Sequence, residues 1–161
     1  MEEDPESPMD EEIDEEKAAL PTFETIEAKF QNNKVLLHAS STSQMLFDKN
    51  YFGTQLESKE LELELVEALL LLERNRIKIM DQASQPISAQ ALLSLAAEGD
   101  PKIWVKYLIY RDLRSRGYIV RSGYGDGIDY RVYPRGSTRA EGAAKYFIFI
   151  LAEGDPIHLA T

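Results

Sequence analysis

Tyr133 is the residue whose type and position suggest chemistry most directly. It ends a β-rich run at residues 128–133, and Arg135 follows closely. A tyrosine hydroxyl near basic groups can act as a general base when its pKa is lowered. The alternative is an edge-strand aromatic that packs on its neighbours, and the residue type alone favours that alternative.

Three glycines at positions 123, 125 and 127 form a second candidate, because exposed backbone amides can cradle a phosphate. Dinucleotide and P-loop sites place such glycines between a strand and a helix, and the P-loop adds Gly-Lys-Ser/Thr. Here a second β-rich run follows the glycines, without that addition. The glycines therefore predict a hairpin turn that needs positive backbone dihedrals.

Three nearby carboxylates, on Asp126, Asp129 and Glu141, could be read as the ligands of a magnesium-dependent nuclease. Such sites usually add Glu-x-Lys on a neighbouring strand, and the sequence has none here. We therefore interpret the three as turn and strand-end carboxylates, and we predict no metal site.

Composition restricts the chemistry further. The chain has no cysteine, which excludes disulfides, thiolate zinc sites and thiol nucleophiles. Its two histidines, His38 and His158, leave little material for a histidine metal site. Any catalysis must therefore use oxygen and nitrogen groups, and we expect no cofactor.

The net charge of −10 is divided unevenly along the chain. Residues 1–20 hold ten acids and one lysine, whereas residues 102–145 hold ten basic residues and four acids. A basic region behind an acidic tail is compatible with phosphate contacts, although such a modest stretch is as often solvated surface.

The periodicity of apolar residues predicts alternating strands and helices. The expected strands lie at 34–38, 61–63, 77–80 (an edge strand), 118–121, 128–133 and 145–151, and the expected helices at 42–47, 65–74, 89–97 and 102–116. Ser88 is a plausible N-cap and Gly117 a C-terminal cap. The last helix puts Ile103, Tyr107 and Tyr110 on one face, near which Arg114 would have to snorkel.

Three regions follow from this organisation. Residues 1–20 are highly charged and contain two prolines, which predicts a disordered tail. Residues 21–99 and 102–161 are expected to form two domains, divided at Asp100-Pro101. No apolar run approaches the length of a membrane span, so we expect a soluble, cytoplasmic protein without a membrane partner.

Several of these stretches together resemble the archaeal tRNA-splicing endonuclease family. The C-terminal match is Tyr-Leu-Ile-Tyr-Arg-Asp-Leu-Arg-Ser-Arg-Gly-Tyr-Ile-Val-Arg-Ser-Gly at 107–123, Ile-Asp-Tyr-Arg-Val-Tyr-Pro-Arg-Gly at 128–136 and Lys-Tyr-Phe-Ile-Phe-Ile at 145–150. The N-terminal match is Leu-Phe-Asp-Lys-Asn-Tyr-Phe-Gly at 46–53 and Val-Glu-Ala-Leu-Leu-Leu-Leu-Glu at 66–73. These matches cover most of residues 35–151 in the family's order.

The resemblance implies an α+β fold of two small domains, the second a nuclease-like domain of helices on a central mixed sheet. It implies assembly of four such units, as separate chains or tandem repeats, that cut precursor tRNA at bulge-helix-bulge junctions. The family's reaction needs no metal and leaves a 2′,3′-cyclic phosphate and a 5′-hydroxyl. Its catalytic group is a tyrosine base, a histidine acid and a lysine cation.

Carried over residue by residue, that catalytic group is incomplete in this chain. Tyr133 matches the tyrosine, but the histidine position is Ala143. The lysine and an acidic docking loop belong to the family's last helix and hairpin, which we expect this chain to lack. His158 lies in a different segment and is not expected to replace the histidine. Residues 152–157 resemble the family's structural repeats.

Three functions remain open at this point. The first is a structural subunit of the endonuclease, the second an active subunit whose Tyr133 is completed by a partner chain, and the third a non-catalytic RNA-binding adaptor. Ala143 favours the first or third, and an open sheet edge that invites a partner strand favours the first. The basic residues assigned to RNA binding are Arg111, Arg114, Arg116, Arg121, Arg135, Arg139 and Lys145.

Overall fold

Nine strands and four helices form within the residues that this computed structural model describes, namely 25–125, 127–134 and 144–151. The strands are β1 (Ile26–Gln31), β2 (Lys34–Leu37), β3 (Thr54–Gln55), β4 (Leu61–Leu63), β5 (Ile77–Met80), β6 (Pro86–Ile87), β7 (Ile119–Gly125), β8 (Ile128–Tyr133) and β9 (Tyr146–Ile148). The helices are α1 (Ser41–Asp48), α2 (Leu65–Glu73), α3 (Ala89–Gly99) and α4 (Ile103–Ser115). The predicted acidic tail lies outside the described residues.

The first sheet has the strand order β3-β4-β2-β1-β5-β6. Its strands β1 and β5 pair in parallel, and its other pairs are antiparallel. The prediction that residues 77–80 form an edge strand is wrong, because Ile79 pairs with Ile87 of β6. Asp81 folds the chain back, since its Oδ1 accepts hydrogen bonds from the N–H groups of Ala83 and Gln85.

Helix α2 begins where the sequence predicts, directly after the alternating Leu-Glu-Leu of β4. The Glu64 N–H donates to the Glu67 carboxylate at 2.9 Å, which fixes the first turn. All residues from Leu65 to Leu71 are buried. The helix is apolar on nearly all sides because it packs against α3, α4 and β5.

Helix α4 buries Ile103, Tyr107 and Tyr110, as its apolar spacing predicts. It ends at the predicted glycine, because Gly117 has φ +89°. The Gly117 N–H donates to the Arg114 carbonyl and the Tyr118 N–H to the Leu113 carbonyl, which satisfies the last turn.

The second sheet has the order β7-β8-β9 and is antiparallel in its described part. The α+β fold class is thus confirmed. A mixed sheet was expected in the second domain, but the one described parallel pair lies in the first sheet. The glycine-rich segment connects the antiparallel strands β7 and β8, as predicted, and Gly127 has a φ of +82°. Gly123 and Gly125, however, lie within β7 rather than in the turn. A Cβ on Gly123 would lie 1.9 Å from the Ile128 carbonyl oxygen, so only glycine fits there.

One hydrophobic cluster extends from Ile26 in β1 to Tyr130 in β8 and Ile150 beyond β9. Helices α2, α3 and α4 pack on one another at its centre. The predicted division at Asp100-Pro101 falls between the end of α3 and the start of α4, and the independence of the two domains stays a prediction. None of the described helices is long and apolar enough to cross a membrane.

Candidate functional site

Tyr133 is the last residue of β8 and pairs with Ile119 of β7. Its side chain is only 1% exposed. Its hydroxyl oxygen accepts a hydrogen bond of 3.1 Å from Nη1 of Arg131, which lies two residues earlier on the same face of the strand. The phenol is therefore enclosed by the chain and already has a guanidinium partner.

Arg131 links this tyrosine to the neighbouring strand. Its Nε donates to the Ser122 carbonyl at 2.7 Å. The residue directly opposite it on β7 is Arg121, and like charges in that position destabilise a sheet unless each is compensated. Arg121 is compensated by the first half of the chain, because its Nη1 donates to the Gly53 carbonyl at 2.7 Å.

Gly53 connects the arginine to a buried carboxylate. Its own N–H donates to Oε2 of Glu67 at 2.6 Å, and its φ is +73°. Glu67 is 4% exposed. Burial raises the pKa of Glu67, although the N–H groups of Gly53 and Glu64 and the charge of Arg121 act to lower it. A chain of hydrogen bonds thus runs from Glu67 of α2 through the N–H and C=O groups of Gly53 to Arg121 of β7.

Arg114 was predicted to extend its guanidinium into the solvent, and it does not. Its guanidinium carbon lies 4.2 Å from the centre of the Phe52 ring, and its Nη2 and Nη1 donate to the carbonyls of Asn50 and Tyr118. Burial is the main reason that its pKa is lowered. The side chain therefore ties the end of α4 to the loop after α1, and RNA contact through it stays a prediction.

Arg111, a second predicted RNA-binding residue, is also engaged within the chain. Its Nη1 lies 3.0 Å from Oε1 of Glu73, whose other oxygen accepts the hydroxyl of Tyr107. The pKa of Tyr107 is raised well above its ordinary value, mainly by burial and secondly by its hydrogen bond to this carboxylate. These contacts fasten α4 to the end of α2.

The remaining predicted RNA-binding residues that the structure describes are more exposed to solvent. Arg116 pairs with Asp112 at 3.1 Å, but their side chains are 61% and 58% exposed. Lys145 is exposed, and its Nζ lies 5.2 Å from the centre of the Tyr146 ring. The predictions for Arg135, Arg139, Ala143 and His158 fall outside the described residues.

Asp129 acts as a link between strands and a helix. Its Oδ2 accepts the Ile150 N–H at 2.7 Å, and its Oδ1 lies 3.6 Å from Nζ of Lys106. Lys106 also reaches Asp100 at 2.5 Å, and despite partial burial this contact and the Lys102 N–H lower the pKa of Asp100. Within the described part of the chain no three metal-ligating side chains cluster, and Asp126 and Glu141 lie outside that part.

A cavity of about 220 Å³ lies where these charged groups converge. The polar residues that line it include Glu67, Tyr110, Arg121, Ser122 and Arg131. The Tyr110 hydroxyl is buried and has no hydrogen-bond partner among the described residues. The arrangement holds the two halves of the chain together and orients Arg131 toward Tyr133, rather than opening Tyr133 to a ligand.

Sequence reasoning missed both Glu67 and Arg131. The signal for Glu67 was present, because it is the only charged residue in the apolar run 65–72. A lone carboxylate inside a fully buried helix must find hydrogen-bond donors. The signal for Arg131 was its i, i+2 spacing from Tyr133, which places the two side chains on one face of a strand.

Two family models match this sequence, one in each half. The model of the tRNA intron endonuclease N-terminal domain matches residues 26–93, and the model of the catalytic C-terminal domain matches residues 103–161.

Curated archaeal relatives are similar over most of the chain. The tRNA-splicing endonuclease of Methanothermobacter thermautotrophicus is 35% identical over 133 residues, which are 83% of this chain and 76% of that protein. That of Thermococcus onnurineus is 38% identical over 113 residues, 70% of this chain and 65% of that protein. That of Methanosarcina acetivorans is 35% identical over 132 residues, 82% of this chain but only 36% of that longer protein.

Proposed function

This chain belongs to the tRNA-intron endonuclease family, and from that premise we propose that it is a structural subunit of an endonuclease that removes introns from precursor tRNA. In this proposal, the assembled enzyme cuts bulge-helix-bulge junctions and leaves 2′,3′-cyclic phosphate and 5′-hydroxyl ends. Other subunits supply the catalytic groups, and the assembly works in the cytoplasm.

The state of Tyr133 is the observation that supports a structural role. A general base must come within hydrogen-bond reach of the proton that it removes. With 1% exposure and its oxygen hydrogen-bonded to Arg131, this phenol is not open to a ribose 2′-hydroxyl in the described part of the chain. Ala143 adds to the argument, because an alanine at the family's histidine position offers no proton to a leaving oxygen.

The chain's own contacts suggest what such a subunit contributes. The hydrogen bonds that connect Glu67, Gly53 and Arg121, together with the contacts of Arg114, hold the two halves in one fixed arrangement. A rigid subunit can position an active partner without taking part in the reaction, because catalytic geometry tolerates only small displacements. Exposed basic residues such as Arg116 and Lys145 would add contacts to the RNA backbone.

The second candidate is an active subunit whose catalytic group is completed by a partner chain. The observation in its favour is that a tyrosine is retained at the end of β8, beside a guanidinium. In that case Tyr133 would have to become exposed when the subunits or the RNA bind.

One cleavage experiment separates the two candidates. A bulge-helix-bulge precursor tRNA is incubated in EDTA with the chain alone, with the chain and its co-purifying partner, and with the Tyr133→Phe version of each. Tyr146→Phe serves as the matched control, because Tyr146 is 49% exposed. Cleavage that requires the partner and survives Tyr133→Phe supports the structural role, and selective loss in Tyr133→Phe makes this chain catalytic.

A further inference from the structure

A hollow of about 230 Å³ lies where the C-terminal ends of three helices come together. Lys49 caps α1, Arg74 caps α2, and Arg114 lies in the last turn of α4. All three line the hollow, and no acidic side chain lines it within the described part of the chain. The hollow therefore gathers three positively charged side chains from three separate elements.

Helix C-termini carry partial negative charge, so basic residues at these positions have a structural explanation as well. Arg114 meets that need with two of its nitrogens, which donate to the carbonyls of Asn50 and Tyr118. Its Nε is nevertheless buried and has no partner among the described residues. An N–H with so little accessible surface cannot itself reach a ligand, so Arg114 contributes to the hollow through its positive charge.

The other two cations are not neutralised by their neighbours. Lys49 and Arg74 are exposed, and neither has an ion-pair partner among the described side chains. The carboxylates next to them in sequence are engaged elsewhere, Asp48 by the Gln44 amide at 2.6 Å and Glu73 by helix α4. Like charges that share one hollow repel each other, and a bound anion would relieve that repulsion.

The position of the hollow connects it to the candidate site. Ile119 lines it, and Ile119 is the residue that pairs with Tyr133 across β7 and β8. The hollow thus lies beside the strand end that carries the family tyrosine.

We infer that the hollow formed by Lys49, Arg74 and Arg114 binds a backbone phosphate of the precursor RNA. The inference rests on the proposed function, since it takes precursor tRNA as the partner. A phosphodiester fits the site because its oxygens can accept hydrogen bonds from the planar guanidinium of Arg74 and from the ammonium of Lys49 together.

The test uses the full chain in the complex with its native partner. Affinity for a bulge-helix-bulge precursor tRNA is measured between 50 and roughly 300 mM salt for the wild type, Lys49→Gln and Arg74→Gln, because loss of one phosphate contact reduces the slope of log affinity against log salt by about 0.7–0.9. Each variant should also bind roughly three- to tenfold more weakly at low salt. Lys78→Gln is the matched control, since Lys78 is exposed on β5 and does not line the hollow.

Two further arms identify the bound group. Inorganic phosphate is titrated into the wild-type complex and into Arg74→Gln, with calorimetry as the readout, and partner binding by each variant is measured without RNA. Binding of inorganic phosphate with unchanged RNA affinity in the variants would mean a free-phosphate site and would overturn the inference. A selective loss of partner binding would mean that the hollow takes a protein carboxylate, which would also overturn it.

Failure of this inference and failure of the proposed function give different results. If the wild-type complex neither binds nor cuts precursor tRNA, the proposed function fails. If the wild type binds and cuts while Lys49→Gln and Arg74→Gln behave like Lys78→Gln, only the phosphate site fails. Because both substituted residues are exposed, the variants should fold, and the thermal midpoint of each one checks this.

Discussion

The N–H of Gly53 points at the buried Glu67 carboxylate, 2.6 Å away, while the Gly53 carbonyl accepts from Arg121 at 2.7 Å. One residue therefore joins helix α2, which packs against the first sheet, to the first strand of the second. The geometry depends on a left-handed backbone at Gly53, where φ is +73°. The joint between the two halves of the chain should consequently be sensitive to changes at this glycine.

Gly53→Ala should destabilise the protein by about 2–4 kcal/mol. An added Cβ would lie 2.8 Å from the Glu62 carbonyl oxygen and 2.8 Å from a methyl carbon of Leu61, besides the strain of the positive φ. Gly127→Ala is the matched control, because φ there is +82° with no atom within 4 Å of the added Cβ. That control should cost only about 1–2 kcal/mol. If urea denaturation shows that both variants lose the same unfolding free energy, the close contacts around Gly53 are unimportant.

Glu67→Gln should destabilise the fold by about 1–3 kcal/mol, because an amide nitrogen would replace one oxygen that accepts a backbone N–H. The loss should also depend on pH. The pKa of Glu67 is raised in the native state above its ordinary value of 4.5, so its stabilising contribution is full below that value. The contribution declines as pH rises through the raised native pKa.

The measurement for Glu67 is the difference in unfolding free energy between the wild type and Glu67→Gln across pH 4 to 8. The difference should be largest at the acidic end and shrink toward neutral pH. Glu57→Gln makes the same chemical change at an exposed position, and it should stay within about 0.5 kcal/mol throughout. A difference that grows with pH would contradict the raised pKa.

Tyr107 and Glu73 should be energetically coupled across the junction of α2 and α4. The Tyr107 hydroxyl donates to the Glu73 carboxylate, and hydrogen bonds to charged acceptors are stronger than neutral ones. A double-mutant cycle with Tyr107→Phe and Glu73→Gln should give a coupling energy of about 1 kcal/mol. The exposed pair Arg116 and Asp112 provides the comparison, with an expected coupling below about 0.5 kcal/mol.

Tyr133→Phe should cost about 1 kcal/mol of stability, because the Arg131 guanidinium loses a buried acceptor. Tyr146→Phe removes a hydroxyl from a half-exposed ring and should stay within about 0.5 kcal/mol. Thermal or chemical unfolding of the purified chain gives both values. If the two variants are equally stable, the Arg131 hydrogen bond does not hold Tyr133 in place.

Local sequence signals predicted much of the secondary structure. The change from alternating residues to a continuous apolar run located the β4–α2 boundary near Glu64, and Ser88 and Gly117 marked a helix start and a helix end as predicted. Such features depend on residues within a turn or two of one another. The β5 strand was also located correctly, but its position inside the sheet required the Asp81 turn and a two-residue partner strand.

The candidate site was predicted less completely. The sequence placed Tyr133 at a strand end, but not its burial or its contact with Arg131. Arg114 was expected in solvent and instead lies on the Phe52 ring, because the loop after α1 packs on the end of α4. Contacts between residues that are distant in sequence leave no local pattern from which they could be read.

The sequence by itself determined the four described helices, six of the nine described strands, the fold class and the family, because these depend on hydrophobic periodicity, caps, turns and an ordered set of matching blocks. It did not predict β1, β3 or β6. Only the tertiary structure decided which charged residues face the solvent and which are held inside. Arg114, Arg121 and Glu67 look like ordinary charged residues in the sequence, and their environment is set by chain segments 14 to 68 positions away. Burial and hydrogen bonding, rather than residue type, determine what a charged group can do.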